Sequence, residues 1–279
     1  MTPRITLLTG AAMPVPDRET ALLRAALDDI GVAHRVVTWS DEQALADPGD
    51  LVVVRTTWDY AATPDLFLTT LRRWGPAVWN PWEVIRRNVH KGYLVELAAA
   101  GVPVVPTRLL RGGDRLEGAS GRIVLKPAIA AGADGIGLFH VGDPAAATHL
   151  DELWTRGDVL LQPFVAEVAD GERSLIYLGG RFSHAVRKVP AAGDFRVQEE
   201  HGGRTTAYLP SADELRVAEA ALAQIGQDLL YARVDLVVTP VGPLLMELEL
   251  IEPALFLDHD QRAPHRFAEV IRAAVTDRT

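Results

Sequence analysis

Residues 231–238 (YARVDLVV) and 244–251 (LLMELELI) constrain this chain more than any other part of its sequence. Both alternate apolar and charged positions, and the five residues between them, Thr239, Pro240, Val241, Gly242 and Pro243, are suited to a turn. A hairpin centred on Val241 sets position 235 opposite 247 and position 233 opposite 249. Period-two alternation then puts Arg233, Asp235, Glu247 and Glu249 on one face, and Val234, Leu236, Met246, Leu248 and Leu250 on the other. The result is a half-buried sheet carrying an acidic patch. Asp235 directly opposite Glu247 is destabilising unless a cation lies between them. A hard divalent cation such as Mg²⁺ takes carboxylate oxygens and keeps positions open for phosphates. A solvated charged face, with Arg233 offsetting the acids, fits the same pattern.

The residues before this hairpin are organised differently. Apolar runs at 5–9, 33–37 and 51–55 predict strands. The spacing of Leu22, Leu23, Ala26, Leu27 and Ile30 predicts a helix over 17–30 that Gly31 ends. A second helix is expected over 64–74, with Thr63 as N-cap and Pro64 in its first turn. Such alternation means a parallel α/β layer over about residues 1–85, and ligands collect beyond the strand C-termini of that architecture. Arg55, Thr56, Trp58, Asp59 and Tyr60 sit at such an edge. Arg55 offers a fork for a carboxylate, Asp59 a partner for an ammonium, and Trp58 and Tyr60 apolar walls. Equally, the two aromatics are core and Asp59 caps a turn.

From residue 88 a helix is expected to run to 100 and stop at Gly101, after which short strands separated by glycines take over, at 123–126, 138–141, 159–162, 173–178 and 181–187. A capping box of Ser211 and Glu214 starts a helix with Leu215, Ala218, Leu222 and Ile225 on one face, and Phe267, Val270, Ile271 and Ala274 mark a last amphipathic helix. Length and composition agree with a globular chain of roughly two domains: 279 residues, 48% hydrophobic and 23% charged, with no apolar run near the ~20 residues of a membrane span. The net charge of −9 without a basic block argues against a sequence-independent hold on nucleic acid, and the absence of cysteine excludes disulfides, a thiolate zinc site and a cysteine nucleophile. Residues 1–10 (MTPRITLLTG) are too short and too soon interrupted for a signal peptide, so a cytoplasmic location is expected.

Several smaller constellations bear on chemistry. Lys126 ends a strand beside the segment AIAAGADGIG, with Gly132, Gly135 and Gly137. A lysine there meets a phosphate as a point charge while backbone N–H groups approach its oxygens, although the order of residues is neither a P-loop nor a dinucleotide fingerprint. Gln162, Pro163, Phe164 and Val165 run from a strand into an irregular segment whose free C=O and N–H suit an adenine edge, and Glu172 follows at a distance that suits ribose hydroxyls. Taken alone, an edge strand and an acidic turn explain these residues as well. Lys91 lies near a helix start, Lys188 and Arg196 flank a loop that could surround a transferred phosphoryl, and His184 on a strand has the pattern of a structural histidine.

The order of these motifs is restrictive: a lysine early in a helix, GVPVVPT, VLKP, the glycine loop, LQPFV, DGERS, FRVQEEHGG, YARVDLV and MELELIEP. It resembles the ATP-grasp superfamily, of the glutathione synthetase and ribosomal-S6 glutamate ligase type. The strings RTTWDY, FSHAVRK, YARVDLV and ELELIEPALF are most similar to the branch that includes the cycloserine synthetases. The resemblance covers about residues 80–260 by motif and 1–80 by architecture. It implies an α/β (α+β) ATP-grasp fold of three lobes, at 1–85, 86–165 and 166–279, with nucleotide held between two antiparallel sheets.

The activity implied is a ligase that phosphorylates a carboxyl-like group of a small amino-acid-like substrate with ATP and Mg²⁺, then lets an amine displace phosphate, within one molecule or between two. By position, Lys91 and Lys126 would bind the α and β phosphates, Gly132 and Gly135 would belong to the loop over the triphosphate, Pro163 and Val165 would meet adenine and Glu172 the ribose. Asp235, Glu247 and Glu249 would hold two Mg²⁺, or Mn²⁺ in their place, with Lys188, Arg196 and Arg233 on the phosphoryl in flight. Relatives often carry Asn where Glu249 stands, Arg where Ser174 stands, and a small polar residue where Glu252 stands, which points Glu252 to contact with substrate or to support of the metal's surroundings rather than to the metal itself. His184, Arg196 and Glu252 form the alternative substrate pocket to Arg55, Trp58, Asp59 and Tyr60. The expected partners are ATP and the small substrate, with neither nucleic acid nor membrane and with homodimerisation left open. The competing class is a nucleotide-binding interaction protein that kept the fold and lost turnover.

Overall fold

In the first eighty residues strands and helices alternate, as the apolar runs require. In the computed structural model, which describes residues 4–11, 17–41 and 46–276, β1 (Arg4–Thr9), β2 (Ala33–Thr38), β3 (Leu51–Thr56) and β4 (Val78–Trp79) form one parallel sheet in the order β2-β1-β3-β4. All six residues of β3 are buried, as befits a central parallel strand covered on both faces. Helix α1 (Arg18–Asp29) is capped by Asp17, whose carboxylate accepts the Thr20 amide at 2.9 Å, and ends at Gly31 with φ +69°. Helix α2 (Pro64–Trp74) has Pro64 in its first turn as expected. The Thr63 hydroxyl makes no capping bond; only its carbonyl joins the helix, accepting from Phe67.

A helix that was not expected, α3 (Trp82–Asn88), precedes the one expected over 88–100, which is confined to α4 (Tyr93–Ala99) and leaves Lys91 in the turn between them. The reason is tertiary. The Lys91 amide donates to Ala128 O, and the Asn88 side chain leaves the helix to bond Leu248 O and Leu250 N at 2.8 and 2.9 Å.

A second sheet follows, antiparallel, in the order β5-β8-β6-β7: β5 (Arg108–Leu110), β6 (Arg122–Pro127), β7 (Gly137–His140) and β8 (Val159–Pro163), covered by α5 (Pro144–Trp154). The third, also antiparallel, has the order β11-β10-β9-β12-β13: β9 (Glu172–Leu178), β10 (Arg181–Val189), β11 (Arg204–Tyr208), β12 (Tyr231–Thr239) and β13 (Gly242–Glu249). Its helices are α6 (Ala212–Ala223) and α7 (Ala263–Thr276). The capping box of Ser211 and Glu214 forms on α6, but the buried face is Glu214, Val217, Ala218 and Ala221. Leu215, Leu222 and Ile225 lie at its margin, because the Glu214 carboxylate is drawn inward by the Ser211 amide and the Tyr208 hydroxyl.

The parallel layer and the third sheet share one core, in which Ile5, Leu7, Leu23 and Val53 meet Ile176, Leu178, Tyr231 and Phe267. Each fully buried aliphatic or aromatic there is worth about 1.5–3 kcal/mol. Polar ties fix the same boundary. Asn80, fully buried, accepts the Leu230 amide at 2.8 Å and donates to Tyr231 O and Leu250 O at 2.9 and 2.7 Å. The Tyr231 hydroxyl donates toward Val54 O and Ile251 O at 2.7 and 2.6 Å. The ends of β12 and β13 are therefore held rigidly against the first layer. Among the described residues no helix is long and apolar enough to cross a membrane.

Candidate active site

The hairpin has the register its alternation demands: Arg233 faces Glu249 and Asp235 faces Glu247. Beyond Asp235 the pairing slips, Leu236 facing Leu245, so Met246 is the extra residue of a bulge. This overturns its expected place on the far face with Leu248 and Leu250. Met246 instead lines the cleft between the second and third sheets, with Val124, Lys126, Gln162, Phe164, Val165 and Glu172. A separate cavity of about 200 Å³ lies on the reverse of β13, with Leu248 and Leu250 among its walls. Of its three charged side chains, Glu83, Arg87 and Glu96, the last two are paired with each other.

Charges crowd the cleft. The Asp235 carboxylate, 2% exposed, accepts from Ser174 Oγ at 2.6 Å, Arg233 Nε and Nη2 at 3.1 and 3.0 Å, and Lys188 Nζ at 3.4 Å. Arg233 also pairs with Glu249 and donates to Ala254 O; Lys188 also pairs with Glu172, and Lys91 pairs with Glu247. Lys126 is buried without an ion pair among the described residues, and burial lowers its pKa even though Glu247 opposes this. Burial alone would raise the Asp235 carboxyl, but Arg233 and Lys188 hold it well below the ordinary range. Glu247 is likewise lowered, by Lys91 and Lys126 against burial. Burial wins at Glu249, pushed up to about 7, and at Glu252, pushed up to about 8 with Glu249 as the next cause. Lys91 and Lys188 are also raised, their charged forms favoured by the acids despite burial.

No three ligating side chains converge as a ready-made metal set among the described residues. Arg233 lies between Asp235 and Glu249, and Lys91 occupies Glu247. Mg²⁺ needs only one or two protein carboxylates when phosphates supply the rest, and Asp235 and Glu247 are the acids held ionised on facing positions, so the donor chemistry fits a hard divalent ion.

The expected nucleotide residues fall around the same cleft. Pro163 pairs with Ile123 in the ladder, and the Phe164 amide donates to Arg122 O at 2.9 Å while Arg122 lies 4.1 Å over its ring. The Gln162 side chain donates to Thr107 Oγ1 at 2.8 Å. Glu172 faces Lys188 across β9 and β10. Gly132 and Gly135 have φ of +64° and +74°, and a Cβ on Gly135 would lie 2.9 Å from the Pro127 ring, so that turn of the loop admits only glycine. Arg196 reaches the cleft wall, half-exposed, with its guanidinium on Asp194 at 2.8 Å.

The substrate residues expected in the first layer are largely occupied by the fold. Arg55 is 1% exposed, donates to Glu19 at 3.0 Å and lies 5.6 Å from the ring centres of Tyr231 and Phe267; it presents no fork to a cleft. Glu19 in turn accepts the Leu255 and Phe256 amides at 2.8 and 2.5 Å. Asp59 accepts from Trp39 Nε1 at 2.7 Å and the Ala11 amide at 2.8 Å, which makes it a structural cap. The Tyr60 ring stacks on Phe67, yet after burial the next influences on its hydroxyl are Glu252, Glu247 and Glu249, so its tip lies near the acids. Trp58, half-buried, donates from Nε1 to Glu252 O at 3.2 Å. His184 is turned to Leu255 O and Phe256 O at 2.8 and 3.1 Å, and burial lowers its pKa; it shapes the 255–256 turn and is no substrate contact. The Glu252 carboxylate, 8% exposed in residue terms, has neither a hydrogen bond nor an ion pair among the described residues.

Sequence reasoning missed Met246, Glu19 and Phe256. The bulge behind Met246 is a one-residue slip that alternation cannot reveal. Phe256 has φ +50° and lies 5.7 Å from the Arg233 guanidinium and 6.0 Å from Lys188 Nζ, which no local pattern announces.

Two family models match the chain: the N-terminal domain of the D-cycloserine synthetase DcsG over residues 5–80, and the ATP-grasp domain of prokaryotic glutathione synthetase over residues 114–261. The cycloserine biosynthesis protein DcsG of Streptomyces lavendulae is 30% identical, across 96% of this chain and 97% of that one. A glutathione synthetase of Bordetella pertussis is 24% identical across 72% of this chain and 64% of its own length. Among solved structures, that of the D-cycloserine synthetase DcsG superposes with a TM-score of 0.86 at 27% identity, covering 98% and 99% of the two chains. A D-alanine–D-alanine ligase of Bacillus anthracis shares the fold, with a TM-score of 0.75 at 14% identity over 98% and 97%.

Proposed function

The chain belongs to the ATP-grasp ligases, with a glutathione-synthetase-type ATP-grasp domain and an N-terminal domain of the D-cycloserine synthetase type, and from that premise we propose that it activates the carboxylate of a small amino-acid-like molecule as an acyl phosphate and closes it onto a nitrogen of the same molecule. The observation that carries the reading is the reach of the likeness. It runs through the first layer as well as the nucleotide cleft when the relative makes cycloserine, and over 72% of the chain when the relative is a glutathione synthetase.

In the reaction, a carboxylate oxygen attacks the γ-phosphorus of ATP and ADP leaves; the nitrogen then attacks the acyl carbon, inorganic phosphate leaves, and the nitrogen gives up its proton. Phosphoryl transfer is governed by positioning and charge neutralisation, and the cleft is built of suitable parts. Lys91 and Lys126 would follow the phosphates, under the loop that holds Gly132 and Gly135. Pro163 O and the Val165 amide would take the adenine edge between Phe164 and Met246, and Glu172, exchanging Lys188, would take the ribose. Lys188, Arg196 and Arg233 would then meet the moving phosphoryl. Asp235, Glu247 and Glu249 would hold two Mg²⁺, replaceable by Mn²⁺, whose contribution is to neutralise the phosphate oxygens.

The test is ADP release across amino acids and their O-ureido derivatives, with product masses. A cyclised product from an O-ureido-serine with no second amine supports the reading. A requirement for a separate amine makes the protein an intermolecular ligase, and ATP binding without ADP from any acid makes it a silent nucleotide binder.

A further inference from the structure

Among the described residues, every acid along the cleft but one has a cation within ion-pair distance: Asp235 has Arg233 and Lys188, Glu247 has Lys91, Glu249 has Arg233, and Glu172 has Lys188. The exception is Glu252. It lies just past the end of β13, 8% exposed, with its backbone carbonyl fixed by the Trp58 indole at 3.2 Å. The groups whose charges reach its carboxylate are Glu249, Lys91, Glu247 and Arg233, and Tyr60 stands near it from the first layer. Both cations in that set are already claimed by other acids. A carboxylate withdrawn from water without a counter-charge is costly, and is retained where something else supplies the charge.

The geometry points to Glu252 as the receptor for a positively charged amine on the substrate, so that ammonium-bearing carboxylates are selected over uncharged ones. This rests on the ligase reading of the cleft, though not on ring closure. Three features support it. Trp58, half-buried and bonded to the Glu252 carbonyl, brings an aromatic group to the same place, and aromatic faces tolerate an ammonium ion. Any Mg²⁺ brought with nucleotide would sit on Asp235, Glu247 and Glu249 and leave Glu252 to the organic substrate. Arg55 and Asp59, the charges that would otherwise serve a zwitterion, are occupied by Glu19 and by Trp39 with Ala11.

The experiment uses the full chain with a non-hydrolysable ATP analogue and Mg²⁺, and two probes differing only in the amine: O-ureido-D-serine and its deamino counterpart, 3-(ureidooxy)propanoic acid. Calorimetry is expected to show the amine-bearing probe bound at least about tenfold more tightly by the wild-type protein. That preference should vanish in Glu252→Gln and survive in part in Glu252→Asp, which keeps the charge. Equal affinity for the two probes in the wild type, binding of neither, or a preference that persists in Glu252→Gln overturns the inference. So does a shift in the Mg²⁺ concentration needed for nucleotide binding in Glu252→Gln, which would make the residue a metal ligand. ADP release by the wild type is followed in parallel. Its absence with the amine preference intact removes the ligase reading alone, and its presence without a preference removes the Glu252 assignment alone.

Discussion

Charged side chains gather at two places in this molecule, around the C-terminal end of β3 and along β12 and β13, and they are satisfied in different ways. Around the end of β3 each charge has its own partners: Arg55 has Glu19, Glu19 adds two backbone amides, and Asp59 has an indole and an amide. Along the hairpin the charges are shared. Arg233 serves Asp235 and Glu249, Lys188 serves Glu172 and Asp235, and Glu252 has no ion-pair partner among the described residues. A charge matched to its own partners inside the fold holds the fold together, although Arg55 Nε and Nη1 make no hydrogen bond among the described residues, whereas a crowd of shared charges is poised to exchange partners when an anion and a divalent cation arrive.

The strongest way to break that contrast is to neutralise the shared acids. Asp235→Asn and Glu247→Gln are each expected to lower turnover by at least about a thousandfold, roughly 4 kcal/mol of transition-state stabilisation, while circular dichroism and cooperative melting are retained. Wild-type-like ADP production by either would return the hairpin to an ordinary charged surface. The paired set should behave oppositely. Arg55→Ala strands a buried Glu19, so denaturant unfolding should reveal a loss of about 3 kcal/mol with little change in substrate KM for the protein that remains folded. A tenfold rise in KM at unchanged stability would mean that Arg55 serves substrate after all.

Why the two places were not separable beforehand is physical. The hairpin's charged face was legible because period-two alternation is local, although Asp235 meets Glu247 only through the bulge, since the turn end pairs Thr239 with Gly242 and Leu236 with Leu245. So were the parallel layer, with its continuous apolar strands, and the capping box at Ser211. The break between α3 and α4 was not, because Asn88 is drawn off by an edge strand some 160 positions away in sequence. The bulge at Met246, the fate of Arg55 and the turn of His184 toward Leu255 and Phe256 likewise depend on distant partners. Their residue types fit a binding role and a structural one equally well until the partners are known.

Lys126 sharpens the comparison from the cationic side. It is buried without an ion pair among the described residues, and burial already lowers its pKa, so it gains most from an incoming phosphate. Lys126→Ala should weaken binding of a non-hydrolysable ATP analogue by about tenfold, ~1.4 kcal/mol, in calorimetry. An unchanged affinity would leave Lys126 a packing residue at the end of β6.

The smallest effect is the most diagnostic, because it has the opposite sign to a loss of function. The Glu252 carboxyl is raised from 4.5 to about 8 in the folded protein, mainly by burial. Below about pH 4.5 it is protonated in folded and unfolded chains alike and has no influence on stability. Between there and about pH 8 the unfolded chain has released a proton that the folded chain keeps, so rising pH draws the ligand-free protein toward the unfolded state. Glu249, raised to about 7, acts in the same direction. Replacing Glu252 by Gln removes its share, so the variant should melt above the wild type by a few degrees at pH 8, corresponding to about 1 kcal/mol, and by less at pH 5.5. Thermal unfolding without nucleotide across that range decides it. A variant that melts below the wild type by the same amount at every pH would show that Glu252 is a satisfied structural acid, and the distinction between the paired and the shared charges would fail at the residue where it is sharpest.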